Sequence, residues 1–273
     1  MTTDTSDIAK RIRIHVLKMT SQGGSSHIGS CLSIADLLAV LYGAEVLNVN
    51  SKMPKDPERD RFILSKGHGC LALYAILAEK GFFPKKELWK FCRQDGILGG
   101  HPEYGKTPGV EASTGSLGHG LSIGIGFALN ARYENADHRV FVIVGDGESN
   151  EGSIWEAALC AGKHQLDNLT VLIDYNKQQS YDSVENVSKL EPFADKWGNF
   201  GFAVSEVDGH DVEQLRAALY AVPLQKGKPS AIICHTIKGK GISFVEKNLA
   251  WHHKSNLKDE EIQSLREDLE RNL

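Results

Sequence analysis

The chain has 273 residues, a length that fits one large α/β domain with a single packed core. Hydrophobic residues make up 41% of it and charged residues 24%, which excludes disordered, collagen-like and mucin-like proteins. With 31 basic and 35 acidic side chains the formal net charge is -4, so we expect no nucleic-acid partner and no anionic membrane surface.

The elements in chain order begin with two helices. Ser6 is expected to cap an amphipathic helix that includes Ile8 and Met19, and a second, apolar helix is predicted over 33–47. Strands are then predicted over 61–64, 139–144, 169–173, 202–207 and 231–236. Further helices are predicted over 70–80, 121–133, 154–164, 212–221 and 258–273.

This alternation of helices and strands predicts an α/β fold, with a mostly parallel central sheet and helices on both faces. The run VFVIV at 140–144 is apolar at every position, which indicates burial on both faces and a central place in the sheet. No repeat or linker divides the chain, so we expect a single domain over 1–273.

The cysteines and the N-terminal segment indicate a cytoplasmic enzyme. The five cysteines are odd in number and widely spaced without a Cys-x-x-Cys pair, which argues against a disulfide framework and a thiolate zinc site. The first 18 residues mix charged with apolar side chains and form neither a secretory signal nor a membrane span.

The strongest chemical signal is the stretch VFVIVGDGESNEG, in which a buried strand runs into Gly145-Asp146-Gly147. The next predicted strand ends at Asn176, and a strand, helix and strand of this size bring both side chains to neighbouring strand ends. Glycines allow a phosphate to approach the backbone, and the carboxylate and amide oxygens suit Mg²⁺. The alternative is that Gly-Asp-Gly forms only a turn and that Asn176 caps one.

Competing phosphate motifs are absent from the sequence. There is no Gly-x-x-x-x-Gly-Lys-Ser/Thr, and no Gly-x-Gly-x-x-Gly follows a predicted strand, which disfavours nucleotide hydrolysis and dinucleotide binding. The segment 96–120 is rich in glycine and histidine and too long for a simple connection, so we expect it to carry function.

The Gly145-Asp146-Gly147 motif and Asn176, about thirty residues later, resemble the thiamine diphosphate and Mg²⁺ motif of thiamine-dependent enzymes, and transketolase in particular. Four further stretches agree in order and cover nearly the whole chain: SSHIGSCLS, LSKGHGCLALYA, the segment from Gly99 to Ser122, and TIKGKGISFVEKNLAWHH. The resemblance implies the diphosphate-binding fold of that family.

The resemblance also implies the ligands of the metal and the cofactor. Asp146, Asn176 and the backbone carbonyl of Gln178 would bind Mg²⁺, for which Ca²⁺ or Mn²⁺ can substitute. Thiamine diphosphate would contact a larger set, formed by Asp146, Gly147, Asn176, the loop Gly115-Ser116-Leu117, His68 and His252.

Catalytic roles are implied for His27, His101, His252 and Glu151. The histidines would hold the hydroxyl groups of the ketose and assist proton transfers, and the glutamate would lie near the paired active sites. A side-chain pKa of about 6.5 suits histidine to this work, although each one alone is as readily a capped turn or a core residue. His253 follows His252 directly and could be the relevant one of the two.

Ser116 stands where the family often has proline and His119 where it often has glutamine, which leaves the choice of substrate open. A full transketolase continues with a pyrimidine-binding and a C-terminal domain, whereas only some twenty residues follow His253 here. We therefore expect the N-terminal subunit of a split transketolase, inactive alone, with a separately encoded C-terminal partner in an α₂β₂ assembly.

The implied reaction transfers a two-carbon ketol unit from a ketose phosphate to an aldose acceptor. One alternative is the α subunit of a 2-oxo acid dehydrogenase, which shares the Gly-Asp-Gly and Asn motif, although the motifs around His68 and His101 favour transketolase. The other alternative is a non-catalytic module that only binds the cofactor.

Overall fold

A five-stranded parallel sheet forms the centre of the protein. The structure, a computed structural model, describes residues 4–22, 27–254 and 257–272. The strands are β1 (Arg61–Leu64), β2 (Val140–Gly145), β3 (Leu169–Tyr175), β4 (Ala203–Asp208) and β5 (Ser230–His235). Their order in the sheet is β1-β2-β3-β5-β4, and every neighbouring pair is parallel. The predicted parallel α/β fold is therefore confirmed.

Helices cover both faces of this sheet. They are α1 (Thr5–Ser21), α2 (Ile28–Ser33), α3 (Ala35–Gly43), α4 (Cys70–Glu79), α5 (Gly120–Tyr133), α6 (Gly152–Lys163), α7 (Val184–Val187), α8 (Phe193–Asn199), α9 (Val212–Tyr220) and α10 (Asp259–Asn272). Within the described residues, no helix is both long and apolar enough to cross a membrane.

Alternate side chains of each strand enter two separate apolar cores. On β2, Phe141 and Ile143 pack with α1, α3, α4, α9 and α10. Val140, Val142 and Val144 point to the opposite face and pack with α5, α6 and α8. Both faces of the sheet are therefore covered. Because the strands are parallel, their carboxyl ends lie at one edge of the sheet, and polar side chains of the loops that follow can converge there.

Two predictions about the N-terminal helices need correction. Asp4, not Ser6, caps α1: its carboxylate accepts a hydrogen bond from the backbone N–H of Ser6. The helix predicted over 33–47 is α3, which is shorter and covers Ala35–Gly43, and the preceding helix α2, over Ile28–Ser33, was not predicted. The hydroxyl of Ser33, the last residue of α2, donates to the carboxylate of Asp174 at 2.8 Å.

The strand with the apolar run is not the middle of the sheet. β3 occupies that place, and β2 lies between β1 and β3. Neighbours on both sides and helices on both faces still bury every residue of β2, as its composition requires. In the C-terminal helix predicted over 258–273, Leu273 lies outside the described residues.

We predict that Gly162→Ala destabilises the fold. A Cβ atom at Gly162 in α6 would lie 1.9 Å from the backbone oxygen of Phe200, which directly follows α8, so either α6 or the end of α8 must shift. Such overpacking costs about 1–3 kcal/mol of the free energy of unfolding, which urea titration measures. The control is Gly198→Ala in α8, where an added Cβ has no neighbour within 4 Å. The free energy of unfolding of this variant should equal or exceed that of the parent protein. Equal stability of the two variants would contradict the prediction.

Candidate functional site

The ends of β2 and β3 bring Asp146 and Asn176 to one place. Gly145 pairs with Asp174 in the sheet, so the residues that follow each strand lie at the same edge. The carboxylate of Asp146 accepts hydrogen bonds from the backbone N–H of Gly147, at 2.7 Å, and from that of Lys177. The second of these bonds joins the loop after β2 to the loop after β3.

Asp146 is a buried carboxyl group. The residue is 2% exposed, and no ion pair with it is formed by the residues the structure describes. Burial and then the neighbouring carboxylate of Asp174 raise the pKa of Asp146 to about 7, against the hydrogen bonds from Gly147 and Lys177. A cation bound here would relieve this unfavourable electrostatic environment.

Asp174 orients the amide of Asn176. The Asp174 carboxylate is completely buried and accepts hydrogen bonds from Ser33, Lys66, Thr236 and, at 3.0 Å, from Nδ2 of Asn176. The amide nitrogen is thereby fixed, and the amide oxygen accepts from the backbone N–H of Gln178 at 3.1 Å.

The backbone carbonyl of Gln178 completes a set of three oxygen donors. It accepts a hydrogen bond from the ammonium of Lys238 at 3.1 Å, and Gln178 lines the same cavity as Asp146 and Asn176. One carboxylate, one amide and one carbonyl oxygen are the donors that Mg²⁺ prefers, with further positions left for phosphate and water. The donor set therefore fits the metal that the resemblance implies.

The cavity has a volume of about 280 Å³ and collects most of the predicted residues. Those that line it are His27, His68, Leu117, Asp146, Gly147, Glu151, Asn176, Gln178 and His252. His101, Gly115 and Ser116 lie outside its lining. Sequence reasoning had not assigned Ser30, Lys66, Glu148, Gln179, Ser180 and Lys238, which line it as well.

The buried lysines Lys66 and Lys238 supply the positive charge of the cavity. Lys66 binds Asp174, and Lys238 points its ammonium at the carbonyls of Gln178 and Gln179. Burial, partly offset by Asp146, lowers the pKa of Lys238 to about 8. A signal for both lysines existed in the sequence, since Lys66 and Lys238 follow the ends of β1 and β5, where ligands bind in open α/β sheets.

A row of histidines lines the mouth of the cavity. The ring centroids of His27 and His68 lie 4.6 Å apart, and those of His68 and His101 lie 5.0 Å apart. His27 has a left-handed backbone with φ of 60°, and its N–H donates to the carbonyl of His252 at 3.1 Å. This bond connects the start of α2 to the segment after β5.

The imidazoles of His27, His68 and His252 are neutral near pH 7. Burial, followed by repulsion from His68 and other neighbours, lowers the pKa of His27 to about 3. Burial, followed by repulsion from Lys238, lowers the pKa of His252 to about 3. Burial, followed by repulsion from His101, lowers the pKa of His68 to about 4. They therefore suit hydrogen bonding to hydroxyl groups, while the lysines carry the charge for a phosphate.

Glu148 fixes the loop that carries Leu117. Its carboxylate accepts hydrogen bonds from the Ser65 hydroxyl at 2.6 Å, from Gly118 N–H at 2.9 Å and from Gly145 N–H at 3.1 Å. These bonds join the loop at 115–118 to the ends of β1 and β2. Glu148 is thus a structural anchor beside Asp146.

The remaining predicted residues surround this loop. A Cβ on Gly115 would come within 2.8 Å of the His101 ring, so the glycine allows that histidine to approach. Glu151 is exposed at the cavity rim, and Ser116 is exposed on the loop. His119, also exposed, bonds through Nδ1 to the carbonyl of Leu117 at 2.9 Å.

Known proteins resemble the chain over nearly its whole length. It is 43% identical over 245 residues to a 6-deoxy-6-sulfo-D-fructose transketolase subunit of Clostridium sp., covering 90% of this chain and 89% of that protein. It is 38% identical over 263 residues to an apulose-4-phosphate transketolase subunit of Phocaeicola vulgatus, covering 96% and 93%.

The fold agrees with that of a full-length transketolase. The crystal structure of the enzyme from Campylobacter jejuni matches 99% of this chain with a TM-score of 0.89 and 31% identity, and the match spans 43% of the longer chain. A family model described as "Transketolase, thiamine diphosphate binding domain" matches residues 4–272. On this match and these relatives, the chain belongs to the transketolase family and carries its thiamine diphosphate-binding region.

Proposed function

We propose that the chain is the N-terminal, diphosphate-binding subunit of a two-subunit transketolase. It would transfer a two-carbon ketol group from a ketose phosphate, or a ketose with another anionic group, to an aldose acceptor. The observation that carries the proposal is the convergence of Asp146, Asn176 and the Gln178 carbonyl in one cavity with two buried lysines. Thiamine diphosphate, when bound, supplies the electron sink for breaking a carbon–carbon bond of the ketose.

The metal is the first element of this proposal. Asp146, Asn176 and the Gln178 carbonyl would hold Mg²⁺, or Ca²⁺ or Mn²⁺ in its place. The raised pKa of Asp146 and the absence of an ion pair to it among the described residues support a cation at this position. Lys238 and Lys66 would stabilise the diphosphate, and Gly147 would let it approach the backbone.

The histidines would act on the substrate. His27, His101 and His252 would hold ketose hydroxyls and move protons between them, and His68 would donate to the diphosphate end. Burial lowers the pKa of His27, His68 and His252, and a neutral imidazole both donates and accepts a hydrogen bond, which suits each of them to bind hydroxyl or phosphate oxygens. Glu151 would act at the rim, where a partner's residues can reach it.

A partner chain is supported by exposed apolar side chains and by the relatives. Exposed apolar side chains suit a protein interface: Ile123 on α5, Leu159 on α6 and Val187 on α7 are 36%, 60% and 45% exposed. Both relatives are themselves named as subunits of a transketolase.

We further propose that residues 1–273 form one diphosphate-binding domain. A separately encoded partner would carry the pyrimidine-binding domain in an α₂β₂ assembly. A cytoplasmic location fits the five free cysteines, which a reducing compartment would preserve.

The first test is reconstitution. We predict that the purified chain, given thiamine diphosphate and Mg²⁺, transfers no ketol group from fructose 6-phosphate, 6-deoxy-6-sulfo-D-fructose or apulose 4-phosphate. Adding a separately expressed chain that contains the pyrimidine-binding domain should produce transfer from at least one donor, measured by chromatography of the sugars. The partner chain alone is the control. Transfer by this chain without a partner would contradict the proposal.

The second test concerns the metal ligands. We predict that Asp146→Ala lowers the Mg²⁺-dependent affinity of the assembled enzyme for thiamine diphosphate by at least about 100-fold, because a ligand is lost outright. Glu185→Ala is the matched control, since its carboxylate is exposed and pairs with Lys189 at 3.0 Å on the surface. Calorimetry with and without Mg²⁺ measures both affinities. Equal affinities of the two variants would contradict the assignment.

A further inference from the structure

Three histidines at the mouth of the cavity lie close enough to share one ligand. His27, His252 and His253 each offer a ring nitrogen, and these nitrogens lie within 4.8 Å of one another. The ring centroids of His252 and His253 are 4.3 Å apart, and those of His27 and His253 are 5.1 Å apart. We refer to these three residues as the trihistidine cluster.

We propose that the trihistidine cluster binds one transition-metal ion of the Zn²⁺ class, with a fourth position open to water. Imidazole nitrogen suits Zn²⁺, Co²⁺ and Cu²⁺, whereas Mg²⁺ prefers oxygen donors. The cluster is therefore chemically distinct from the oxygen set of Asp146, Asn176 and Gln178, although both sites border the same cavity.

Two ring nitrogens of the cluster are buried without a partner. Nδ1 of His27 and Nδ1 of His252 form no hydrogen bond with any residue in the described part of the chain. Coordination of an ion through either nitrogen would give a buried polar atom the partner it lacks.

The cluster is partly preorganised. The N–H of His27 donates to the carbonyl of His252, which fixes one ligand against the other, and the Ser180 hydroxyl bonds Nε2 of His252 at 3.1 Å. Zn–N bonds of about 2.0–2.1 Å in a tetrahedron place ligand nitrogens about 3.4 Å apart. Ring nitrogens that now lie up to 4.8 Å apart must therefore approach one another by up to about 1.4 Å. Rotation of the exposed His253 side chain can supply this movement.

The charges around the cluster set a limit on its affinity. Lys238 repels positive charge at His252 and at His27, as its effect on both pKa values shows. The carboxylates of Asp146 and Asp174 lie next to Lys238 and offset part of this repulsion. Imidazole nitrogen remains a preferred ligand of Zn²⁺, so the repulsion lowers the affinity of the site without changing which metals it selects.

Metal binding here would inhibit the proposed reaction, and this step rests on the proposed function. His27 and His252 cannot hold a metal ion and the hydroxyls of a ketose at the same time. We therefore expect Zn²⁺ to compete with the ketose donor and to leave the maximal rate unchanged at saturating donor.

The binding site is tested on the purified chain, without any activity measurement. Co²⁺ should give the intense visible absorption of tetrahedral coordination at one equivalent, and Zn²⁺ but not excess Mg²⁺ should abolish it. His253→Ala should lower the affinity for Co²⁺ at least about tenfold. Loss of a residue that only supports a metal ligand already lowers affinity by about 10–100-fold, so loss of a ligand itself should cost no less. His164→Ala, at an exposed histidine outside the cluster, should leave the absorption unchanged.

Two results would overturn the proposal. One is weak absorption of octahedral Co²⁺ only, and the other is equal binding by the parent and His253→Ala. A separate assay on the reconstituted enzyme tests the inhibition: Zn²⁺ should raise the apparent KM for the ketose, and a fall in kcat alone would overturn competition. Absence of ketol transfer with an intact Co²⁺ spectrum would contradict the proposed function and leave the metal site established.

Discussion

The ion pair between Lys66 and Asp174 is the interaction on which the site depends. Asp174 is completely buried, and burial alone would raise its pKa; the ammonium of Lys66, with hydrogen bonds from Thr236 and Ser33, instead holds the pKa below its ordinary value. Removing one member of a buried pair strands the other and costs about 3–5 kcal/mol. Ser33 lies in α2, Lys66 follows β1 and Thr236 follows β5, so the Asp174 carboxylate connects three segments to β3. The same carboxylate orients the amide of Asn176.

Three buried carboxylates at this edge have three different environments, and the difference gives each a separate task. Asp174 is neutralised by Lys66 and works as a structural centre. Glu148 is held by backbone N–H groups of Gly118 and Gly145 and fixes the loop beside the cavity. Asp146 has only backbone donors and, like Glu148, no ion pair within the described residues; burial raises the pKa of both, and the neighbouring Asp174 carboxylate raises that of Asp146 further. It is therefore the carboxylate with the most to gain from a bound cation.

Strand-end reasoning predicted Asp146 and Asn176 because parallel strands bring their ends to one edge, whatever the loops do. It missed Lys66 and Lys238: both follow strand ends, but a lone lysine in such a position does not by itself indicate that it points into the site. Sequence reasoning also missed α2, whose Ser33 contacts Asp174, 141 positions away along the chain. The histidines came from family resemblance: their glycine-rich surroundings indicate function, but the left-handed backbone of His27 and the lowered pKa values arise only in the fold.

The loop at 115–118 is already anchored in the isolated chain, and this bears on what a partner must contribute. Glu148 ties Gly118 to β1 and β2, and Ser153 at the start of α6 donates to the carbonyl of Gly118 at 2.9 Å. Ordering a segment on binding costs affinity, so a loop held beforehand reduces that cost. Most of the side chains that line the cavity are charged or polar, and its aliphatic side chains are those of Leu117 and Val187. We therefore expect the partner to supply apolar wall and to leave the diphosphate end unchanged.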